Sequence, residues 1–335
     1  MSTYMSRIKV GILRGGPSSE YEVSLKSGAT VLKHLKEEHY HPYDIFISKD
    51  GTWHHSGLPI KPEQAFKKID VVFNALHGEY GEDGKVQQIL EMHGVPYTGS
   101  DALSSALGMN KLMSKKVFIQ HGLKTPLYKT LNRSSVTHEQ LVHIFKSFPM
   151  PAVVKPVQAG SSVGVTIVQT LAELVRAVEF AFTFGDSVLI EEYIKGTEAT
   201  CGVVEHFRGE PLHALMPVEI RPKSSHFFDY DAKYTEGGSE EICPGHFSPD
   251  QKRQIEDLAK KAHHLLALRH YSRSDFIVHP RRGVYILEVN TLPGLTETSL
   301  LPKALHAGGS TISHFLHHVI QLALKKKPHE IQNYY

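Results

Sequence analysis

Residues 272–299 read SRSDFIVHPRRGVYILEVNTLPGLTETS, and this stretch decides the fold. Two runs rich in β-branched and aromatic residues, Asp275–Val278 and Val284–Leu287, flank Pro280–Gly283, whose composition is typical of a turn. The pattern predicts a β-hairpin. Both of its strands also carry polar side chains where a buried sheet would be apolar.

These polar side chains predict a metal site. If the turn is centred on its two arginines, Asp275 lies opposite Glu288 and Arg273 lies opposite Asn290 on one face of the sheet, because side chains alternate with period two. Facing carboxylates repel each other, so we expect them to be tolerated only with a cation between them. Three oxygen ligands (Asp275, Glu288 and Asn290) are too few to enclose an ion, which suits Mg²⁺ shared with phosphates. A solvated sheet face is the alternative.

Composition limits the classes of protein that the chain can represent. Its 335 residues are 41% hydrophobic and 21% charged, as in an ordinary globular protein of two or three domains. The net charge of +2 gives no electrostatic support for binding nucleic acid or a membrane surface. The sequence has no signal-like or membrane-spanning stretch, and Cys201 and Cys243 lack CxxC spacing, so we expect a cytoplasmic protein with reduced cysteines.

The N-terminal part predicts a parallel sheet with a binding edge. Ser19 and Glu22 have the spacing of a capping box that would open a helix after a Gly-rich turn. Ligands bind at the carboxyl ends of parallel strands, where Gly15–Glu22 and His77–Gly84 lie. Glu20 there has a second reading, as a favourable charge at a helix N-terminus. The apolar runs that we predict as strands are residues 7–13, 43–47 and 70–76.

The middle of the chain predicts a smaller unit with a phosphate-binding flap. A helical stretch runs from Asp101 to Gly122, and the Gly-Ser-Ser loop at 156–164 joins two predicted antiparallel strands. Backbone amides and hydroxyls of such a loop can fold over a polyphosphate, with Lys155 supplying positive charge. A plain surface hairpin is the alternative. The other predicted elements are strands near 126–130, 151–155 and 163–168 and helices at 137–147 and 171–184, the last capped by Thr170.

A third unit is predicted from Val188 onward. Its first strand leads into Glu191–Glu198, where alternating polar and apolar residues could bind adenine and ribose, unless this is simply a charged edge strand. Residues 221–247 are polar, aromatic and without periodicity, which favours a lid that carries Lys233 inward. A helix at 248–268, with Ser248 and Pro249 at its start, and a last helix at 310–324 complete the unit.

Eight motifs, taken together, resemble bacterial D-alanine–D-alanine ligases from residue 7 to about residue 324. Relatives that use D-lactate lack the AKY found here at 232–234, so its presence favours an amine nucleophile, while Glu192 stands where a lysine is frequent. The motifs are GGPSSEYEVSLKSG (15–28), LHGEYGEDG (76–84), MNK (109–111), KPVQAGSSVGV (155–165), EEYIKGTE (191–198), FDYDAKY (228–234), SRSDF (272–276) and LEVNTLPGLTETSL (287–300).

The resemblance implies an α/β (mixed α+β) ATP-grasp fold, with an N-terminal Rossmann-like parallel-sheet domain and central and C-terminal α+β domains that clasp ATP. ATP would phosphorylate one D-alanine, and the amine of a second would attack the acylphosphate, for peptidoglycan synthesis. Two Mg²⁺ ions (Mn²⁺ being possible) and a homodimer are implied as well. The expected domains are 1–104, 105–187, 188–325 with the lid at 221–247, and a tail at 326–335. Alternatives are another ATP-grasp carboxylate–amine ligase, including a D-Ala–D-lactate ligase, or a non-catalytic nucleotide-binding protein.

The resemblance also implies residue roles. Asp275, Glu288 and Asn290 would hold Mg²⁺, and Arg273 with the Gly294 backbone would stabilise the tetrahedral oxyanion. The residues that would bind ATP are Lys111, Lys155, Ser162 and Lys233 at the phosphates and Glu191, Glu192, Ile194 and Glu198 at adenine and ribose. The residues that would bind the D-alanines are Glu20 with His77 for the first and Ser299 with Leu300 for the second, and the latch that would close the lid is Glu20, Ser161 and Tyr234.

Overall fold

The computed structural model describes residues 7–158, 160, 163–222 and 239–325. Within this part of the chain, no helix combines the length and the apolar character needed to cross a membrane. The strands are β1 Ile8–Gly15, β2 Tyr40–Ile47, β3 Trp53–His55, β4 Leu58–Pro59, β5 Val71–Asn74, β6 Tyr128–Asn132, β7 Ala152–Pro156, β8 Thr166–Val168, β9 Ser187–Glu192, β10 Thr197–Glu205, β11 Leu212–Ala214, β12 Val218–Pro222, β13 Ser239–Ile242, β14 Tyr271–His279 and β15 Gly283–Asn290. The helices are α1 Tyr21–His34, α2 Pro62–Phe66, α3 Lys85–Met92, α4 Ala102–Met109, α5 Lys111–Gln120, α6 His138–Ser147, α7 Leu171–Phe182, α8 Pro249–Leu265, α9 Leu300–Ala307 and α10 Ile312–Leu324.

The first sheet has the strand order β4-β3-β2-β1-β5, and β1 is parallel to both β2 and β5. The predicted parallel pairing is confirmed for these three strands, whereas β3 and β4 extend the sheet with antiparallel pairing. Its central strands are apolar on both faces, because Ile12 and Phe73 on one face and Leu13 and Val72 on the other are all fully buried. Helix α1 packs on β1 through small residues, and Ser24 Oγ accepts from Gly15 N and donates to Ala75 O. These bonds fix the start of α1 above the carboxyl ends of β1 and β5.

The predicted capping box at the start of α1 is wrong. The helix begins at Tyr21 with Glu20 as its N-cap, and no side chain caps it. Ser18 redirects the chain, because its Oγ accepts from Glu20 N at 3.1 Å and its carbonyl accepts from Tyr21 N. Ser19 is left exposed on the outside of this turn.

The predicted single helix between Asp101 and Gly122 is two helices. Asp101 caps α4 by accepting from Ser104 N, and Asn110 caps α5 by accepting from Met113 N. The break at Asn110, whose backbone is extended, gives α5 its own direction. Helix α5 thereby presents Lys111, its first residue, to the second sheet, where the Lys111 amide donates to Val157 O.

The second sheet has the order β6-β9-β7-β8, and all its pairs are antiparallel. Helices α6 and α7 cover one face, and Thr170 caps α7 through a reciprocal pair of bonds with Glu173, as predicted. Strand β9, which we expected to open the third unit, lies between β6 and β7. The second sheet therefore extends to Glu192, beyond the predicted limit at residue 187, and the domain limits themselves stay a prediction.

The third sheet has the order β13-β12-β10-β14-β15, with β11 paired to β10. Helix α8 packs across it, and Ser248 and Pro249 start this helix as predicted. The core between helix and sheet is apolar and includes Ile255, Phe276 and Ile286, which are all almost completely buried.

The hairpin of β14 and β15 has the predicted register where it matters for function. Asp275 pairs with Glu288 and Arg273 with Asn290. The turn contains three residues rather than two, because His279 pairs with Gly283, and the ladder shifts by one residue beyond Asp275. The extra turn residue and the bulge shift the register by one residue in opposite directions, so the pairing of Asp275 with Glu288 is the predicted one. A bulge beside a binding edge is common.

The segment after β15 returns to the first sheet. Helices α9 and α10 pack beside it, and Phe315 and Leu316 of α10 share a core with Val10 and Phe73. Leu292, also in that core, comes just after β15. The loop at 291–299 therefore runs between the third sheet and the ligand-binding edge of the first.

Candidate active site

A cleft of about 400 Å³ lies between the second and third sheets, and we call it the intersheet cleft. Side chains from α5, β7, β9, β10, β12, β14 and β15 line it. Most residues predicted to bind ATP or metal meet here although the sequence separates them widely. The predicted residues that line the cleft are Lys111, Lys155, Glu191, Glu192, Ile194, Glu198, Arg273, Asp275, Glu288 and Leu300.

Four predicted residues lie outside the described part of the chain. They are Ser161, Ser162, Lys233 and Tyr234. Their predicted roles in the flap and the lid stay predictions.

One end of the intersheet cleft holds a buried carboxylate between two lysines. Glu191 Oε2 lies 2.7 Å from Lys155 Nζ, and Glu191 Oε1 lies 2.9 Å from Lys115 Nζ. Burial alone would raise the pKa of Glu191, but the two ammonium groups hold it below its ordinary value. Glu191 is therefore ionised, and each of its carboxylate oxygens faces an ammonium group.

The other end of the cleft is apolar with a polar edge. Ile194, Ile277 and Tyr285 pack together, and Ile194 and Ile277 line the cleft wall. Beside them, Glu192 accepts two bonds from Arg282 Nη2, at 3.0 and 2.9 Å, and one from Leu127 N. The acidic side chain of Glu192 is thus matched by an arginine from the β14–β15 turn.

The facing carboxylates of the hairpin are each neutralised by a basic side chain. Arg273 donates two 2.9 Å bonds to Asp275, which also accepts from Thr200 Oγ1, and Lys111 Nζ lies 3.2 Å from Glu288 Oε2. Burial acts to lower the pKa of Arg273, but Asp275 and then Glu288 raise it above its ordinary value. The expectation that only a bound cation makes this pair tolerable is wrong, since the protein supplies its own positive charges.

The donor set nevertheless fits Mg²⁺. Asp275 and Glu288 face each other, and Asn290 follows Glu288 by two residues on the same face. Asn290 Oδ1 accepts from Leu292 N at 3.1 Å, which orients the amide and leaves a second lone pair. Within the described residues, no group of three or more His, Cys, Asp or Glu side chains could hold a metal alone. An ion bound here would need further oxygen ligands from a substrate.

Glu20 lies where the first sheet meets the flap of the second. A β-carbon placed on Gly78 would be 2.8 Å from Glu20 Oε2, and one on Gly160 would be 3.1 Å from the same oxygen. Two glycines, one from each of these elements, thus lie close to the same carboxylate oxygen. The contact with Gly160 brings a flap residue against the helix start, as the predicted latch requires.

His77 is part of a buried network that shapes the 291–299 loop. Its Nδ1 lies 2.8 Å from Leu292 O and must donate, because a carbonyl can only accept. In the neutral ring its Nε2 then accepts from Ser27 Oγ at 2.7 Å. Ser27 Oγ in turn accepts from Leu295 N. Burial lowers the pKa of His77 to about 4, so the ring is neutral. Both ring nitrogens are engaged with the protein.

Glu82 is a buried ionisable residue of this region that the sequence did not indicate. Its carboxyl accepts from Gly78 N at 2.9 Å and Leu292 N at 3.2 Å, and joins the loop after β5 to the loop after β15. Burial, and then the charge of Glu20, raises the pKa of Glu82 to about 8. The run of acidic residues in HGEYGEDG (77–84) indicated a charged loop, but the sequence did not show that Glu82 is the buried member of this run.

Ser299 shapes the loop that precedes α9. Its Oγ accepts from Thr296 N at 3.1 Å and bonds Thr296 Oγ1 at 2.7 Å. A β-carbon on Gly294 would lie 2.9 Å from the same oxygen, so this position excludes a side chain. Ser299 is also the N-cap of α9, whose first amides, beginning with Leu300, are suited to an anion.

Two family models match the chain. One, described as D-ala D-ala ligase C-terminus, matches residues 117–321, and the other, described as D-ala D-ala ligase N-terminus, matches residues 9–64 and 56–100. Among related sequences, the D-alanine–D-alanine ligase of Geobacter sulfurreducens is 42% identical over 296 residues, which are 88% of this chain and 87% of that protein.

Solved structures are similar over almost the whole chain. The VanG D-Ala:D-Ser ligase from Enterococcus faecalis has a TM-score of 0.84 at 32% identity and covers 95% of this chain and 100% of its own. The D-alanine–D-alanine ligase from Bacillus anthracis has a TM-score of 0.78 at 33% identity and covers 95% of this chain and 98% of its own.

Proposed function

We propose a division of roles among the site residues from the premise that this chain belongs to the D-alanine–D-alanine ligase family. The chain has the ATP-grasp fold and joins two D-alanines in an ATP-dependent reaction that serves peptidoglycan synthesis. The roles of single residues are the proposal. The convergence of widely separated residues in the intersheet cleft supports it most strongly.

ATP would lie along the intersheet cleft, with its phosphates at the lysine end. Lys155 and Lys111 would contact the phosphates, and Glu191, which directly precedes Glu192 on β9 and lines the cleft, would contribute to the adenine site. Ile194 would pack against the base, and Glu198 would bind the ribose hydroxyls. Ser162 of the flap and Lys233 of the lid would complete the phosphate contacts.

Asp275, Glu288 and Asn290 would hold Mg²⁺ beside these phosphates. A bound Mg²⁺ ion supplies positive charge that offsets the charge of the triphosphate. The protein's own contribution is to orient the ligands, because the β-ladder fixes Asp275 against Glu288 and Leu292 N orients Asn290. Mn²⁺ could take the same oxygen ligands.

The reaction needs two anions, the carboxylate of the first D-alanine and the triphosphate, to come together in a site of low dielectric constant. Arg273 is only 15% exposed and fully charged, and it would share its donors between Asp275 and the developing oxyanion, with Gly294 N as the second donor. Glu20 would bind the ammonium group of the first D-alanine. Ser299 and the Leu300 amide would bind the carboxylate of the second.

His77 would act as a positioning residue. Since both of its ring nitrogens bond to the protein, its contribution would be to hold the loop that carries Gly294 and Ser299. Glu20, Ser161 and Tyr234 would latch the lid, which would exclude water from the acylphosphate. The contact between Gly160 and Glu20 supports this latch.

A homodimer located in the cytoplasm is part of the same proposal, and it rests on the family alone. Sedimentation equilibrium of the purified chain tests the dimer, since a monomer at every concentration used would contradict it. Fractionation of the source cells tests the location.

Second-substrate choice is the test of the proposed function. The D-Ala:D-Ser specificity in the name of one structural relative makes D-serine the most relevant competitor, and D-lactate is the next. We expect ADP release with D-alanine alone, and D-alanyl-D-alanine as the product identified by mass spectrometry. Release that requires D-serine, D-lactate or an L-amino acid would contradict the proposal.

A further inference from the structure

Lys115 is a fully buried lysine for which the roles proposed above have no use. It lies on α5 one helical turn after Lys111, and its side chain has no solvent exposure. It does not line the intersheet cleft but lies behind Glu191, which does. An ammonium group is expensive to bury, so its surroundings must compensate.

The contacts of Lys115 tie it to the carboxylate that also holds Lys155. Its Nζ lies 2.9 Å from Glu191 Oε1, and Lys155 Nζ lies 2.7 Å from the other oxygen. Lys115 also donates to Thr125 Oγ1, and its ammonium group lies 5.7 Å from the centre of the Tyr128 ring. Burial lowers the pKa of Lys115 to about 8, against the opposing attraction of Glu191.

The second lysine on Glu191 changes the net charge of this buried cluster. A single lysine paired with Glu191 in a buried site would form a neutral pair, with its ammonium group held toward the carboxylate. Two lysines that share one carboxylate leave a net charge of +1. An ammonium group has three N–H donors, and within the described residues only Glu191 is seen to engage Lys155, which lines the cleft.

We propose that Lys115 is a positioning residue for nucleotide binding: it shares Glu191 with Lys155 and so keeps a net positive charge and free donors on Lys155 for the phosphates of ATP. The proposal rests on the proposed role of Lys155 as a phosphate ligand. Lys115 itself touches no substrate.

A purely structural role is the competing explanation. Lys115 bonds Thr125 and approaches Pro126 O at 3.5 Å, and both belong to the linker between α5 and β6. In that case Lys115 would hold the linker, and its loss would weaken all nucleotide contacts to a similar degree. Thr125→Val removes the neutral partner without changing any charge, so it is the matched control.

Calorimetry with two ligands separates these explanations. Dissociation constants for Mg-ATP, in the absence of D-alanine, and for adenosine are measured with the wild-type chain, Lys115→Met, Lys155→Met and Thr125→Val. Adenosine lacks phosphates, so the ratio of the two affinities reports on phosphate binding. We expect Lys115→Met to reduce the ATP preference at least about tenfold, as expected for the loss of one nearby buried charge, and Thr125→Val to change it by less than about twofold.

The outcomes that overturn the proposal are distinct. An unchanged ratio in Lys115→Met, or an equal loss in Thr125→Val, refutes the positioning role while leaving the proposed function intact. An unchanged ratio in Lys155→Met contradicts the phosphate role of Lys155, and with it both the residue roles and this inference.

A second measurement applies if Lys115→Met does not fold. The charged groups that face Lys115 are Glu191 and Lys155, with Glu288 acting over a longer distance. Because burial lowers the pKa of Lys115 to about 8, we expect the wild-type ATP preference to decline from pH 7 to pH 9 and Lys115→Arg, which stays charged, to remove the decline. A wild-type ratio that stays constant over this interval contradicts the proposal.

Discussion

Replacing Glu288 by glutamine should abolish turnover and leave the fold nearly unchanged. The side chain is 27% exposed and pairs with Lys111, which is 11% exposed. Removing the carboxylate loses this ion pair but also relieves its repulsion with Asp275 across the ladder. Partly exposed pairs contribute only about 0–1 kcal/mol, so we expect the melting temperature to change by no more than about 4 °C.

The effect on catalysis should be far larger, because Glu288 is the carboxylate proposed to face both the metal and the phosphates. We expect kcat to fall at least about hundredfold, which corresponds to about 2.7 kcal/mol of lost transition-state stabilisation. ADP release at saturating D-alanine measures the rate, and thermal unfolding followed by circular dichroism measures stability.

Asp44→Asn is the matched control for this substitution. Asp44 also forms a partly exposed ion pair, with Arg14 at 2.6 Å, but it lies on β2 in the first sheet and away from the intersheet cleft. It should retain turnover. A Glu288→Gln enzyme that keeps kcat within about twofold of the wild type would refute the role of the acidic pair.

Two further substitutions probe the loops around the cleft. Gly294→Ala places a β-carbon 2.9 Å from Ser299 Oγ, so we expect KM for the second D-alanine to rise while KM for ATP stays within about twofold. Initial rates measured with each substrate varied in turn test this, and equal changes in both KM values would contradict it. Glu82→Gln tests a buried carboxyl whose pKa is raised from 4.5 to about 8. The contribution of this carboxyl to the free energy of unfolding is fully present below pH 4.5 and is lost as pH rises towards 8. In urea unfolding, the free energy of unfolding of Glu82→Gln minus that of the wild type should be larger at pH 8 than at pH 5. A difference that does not change with pH would contradict the raised pKa of Glu82.

Strands and the main chemical pairing could be predicted because their signals are local. Apolar β-branched runs gave the parallel sheet, and alternation along two strands gave the pairing of Asp275 with Glu288. The predicted pairing is correct although the predicted turn length is wrong, because the bulge beyond Asp275 compensates for the extra turn residue. The caps Thr170 and Ser248 were also readable from a few neighbouring residues.

The wrong or missing predictions concern tertiary contacts. A lysine on a helix normally extends to solvent, and only the structure shows that the Lys115 side chain is buried beside Glu191 of β9. The start of α1 was misplaced because Ser18, rather than Ser19, bonds the turn. Strand β9 was assigned to the third unit because chain order does not reveal that it lies in the middle of the second sheet.

The central claim is that the acidic face of the β14–β15 hairpin and the lysine end of the intersheet cleft together bind magnesium and a triphosphate. Crystals grown with Mg²⁺ and a non-hydrolysable ATP analogue test it directly. We expect Mg²⁺ within about 2.0–2.1 Å of oxygens of Asp275, Glu288 and Asn290, with Lys155 against the phosphates. A nucleotide bound elsewhere, or bound in the cleft with these three side chains metal-free, would contradict it.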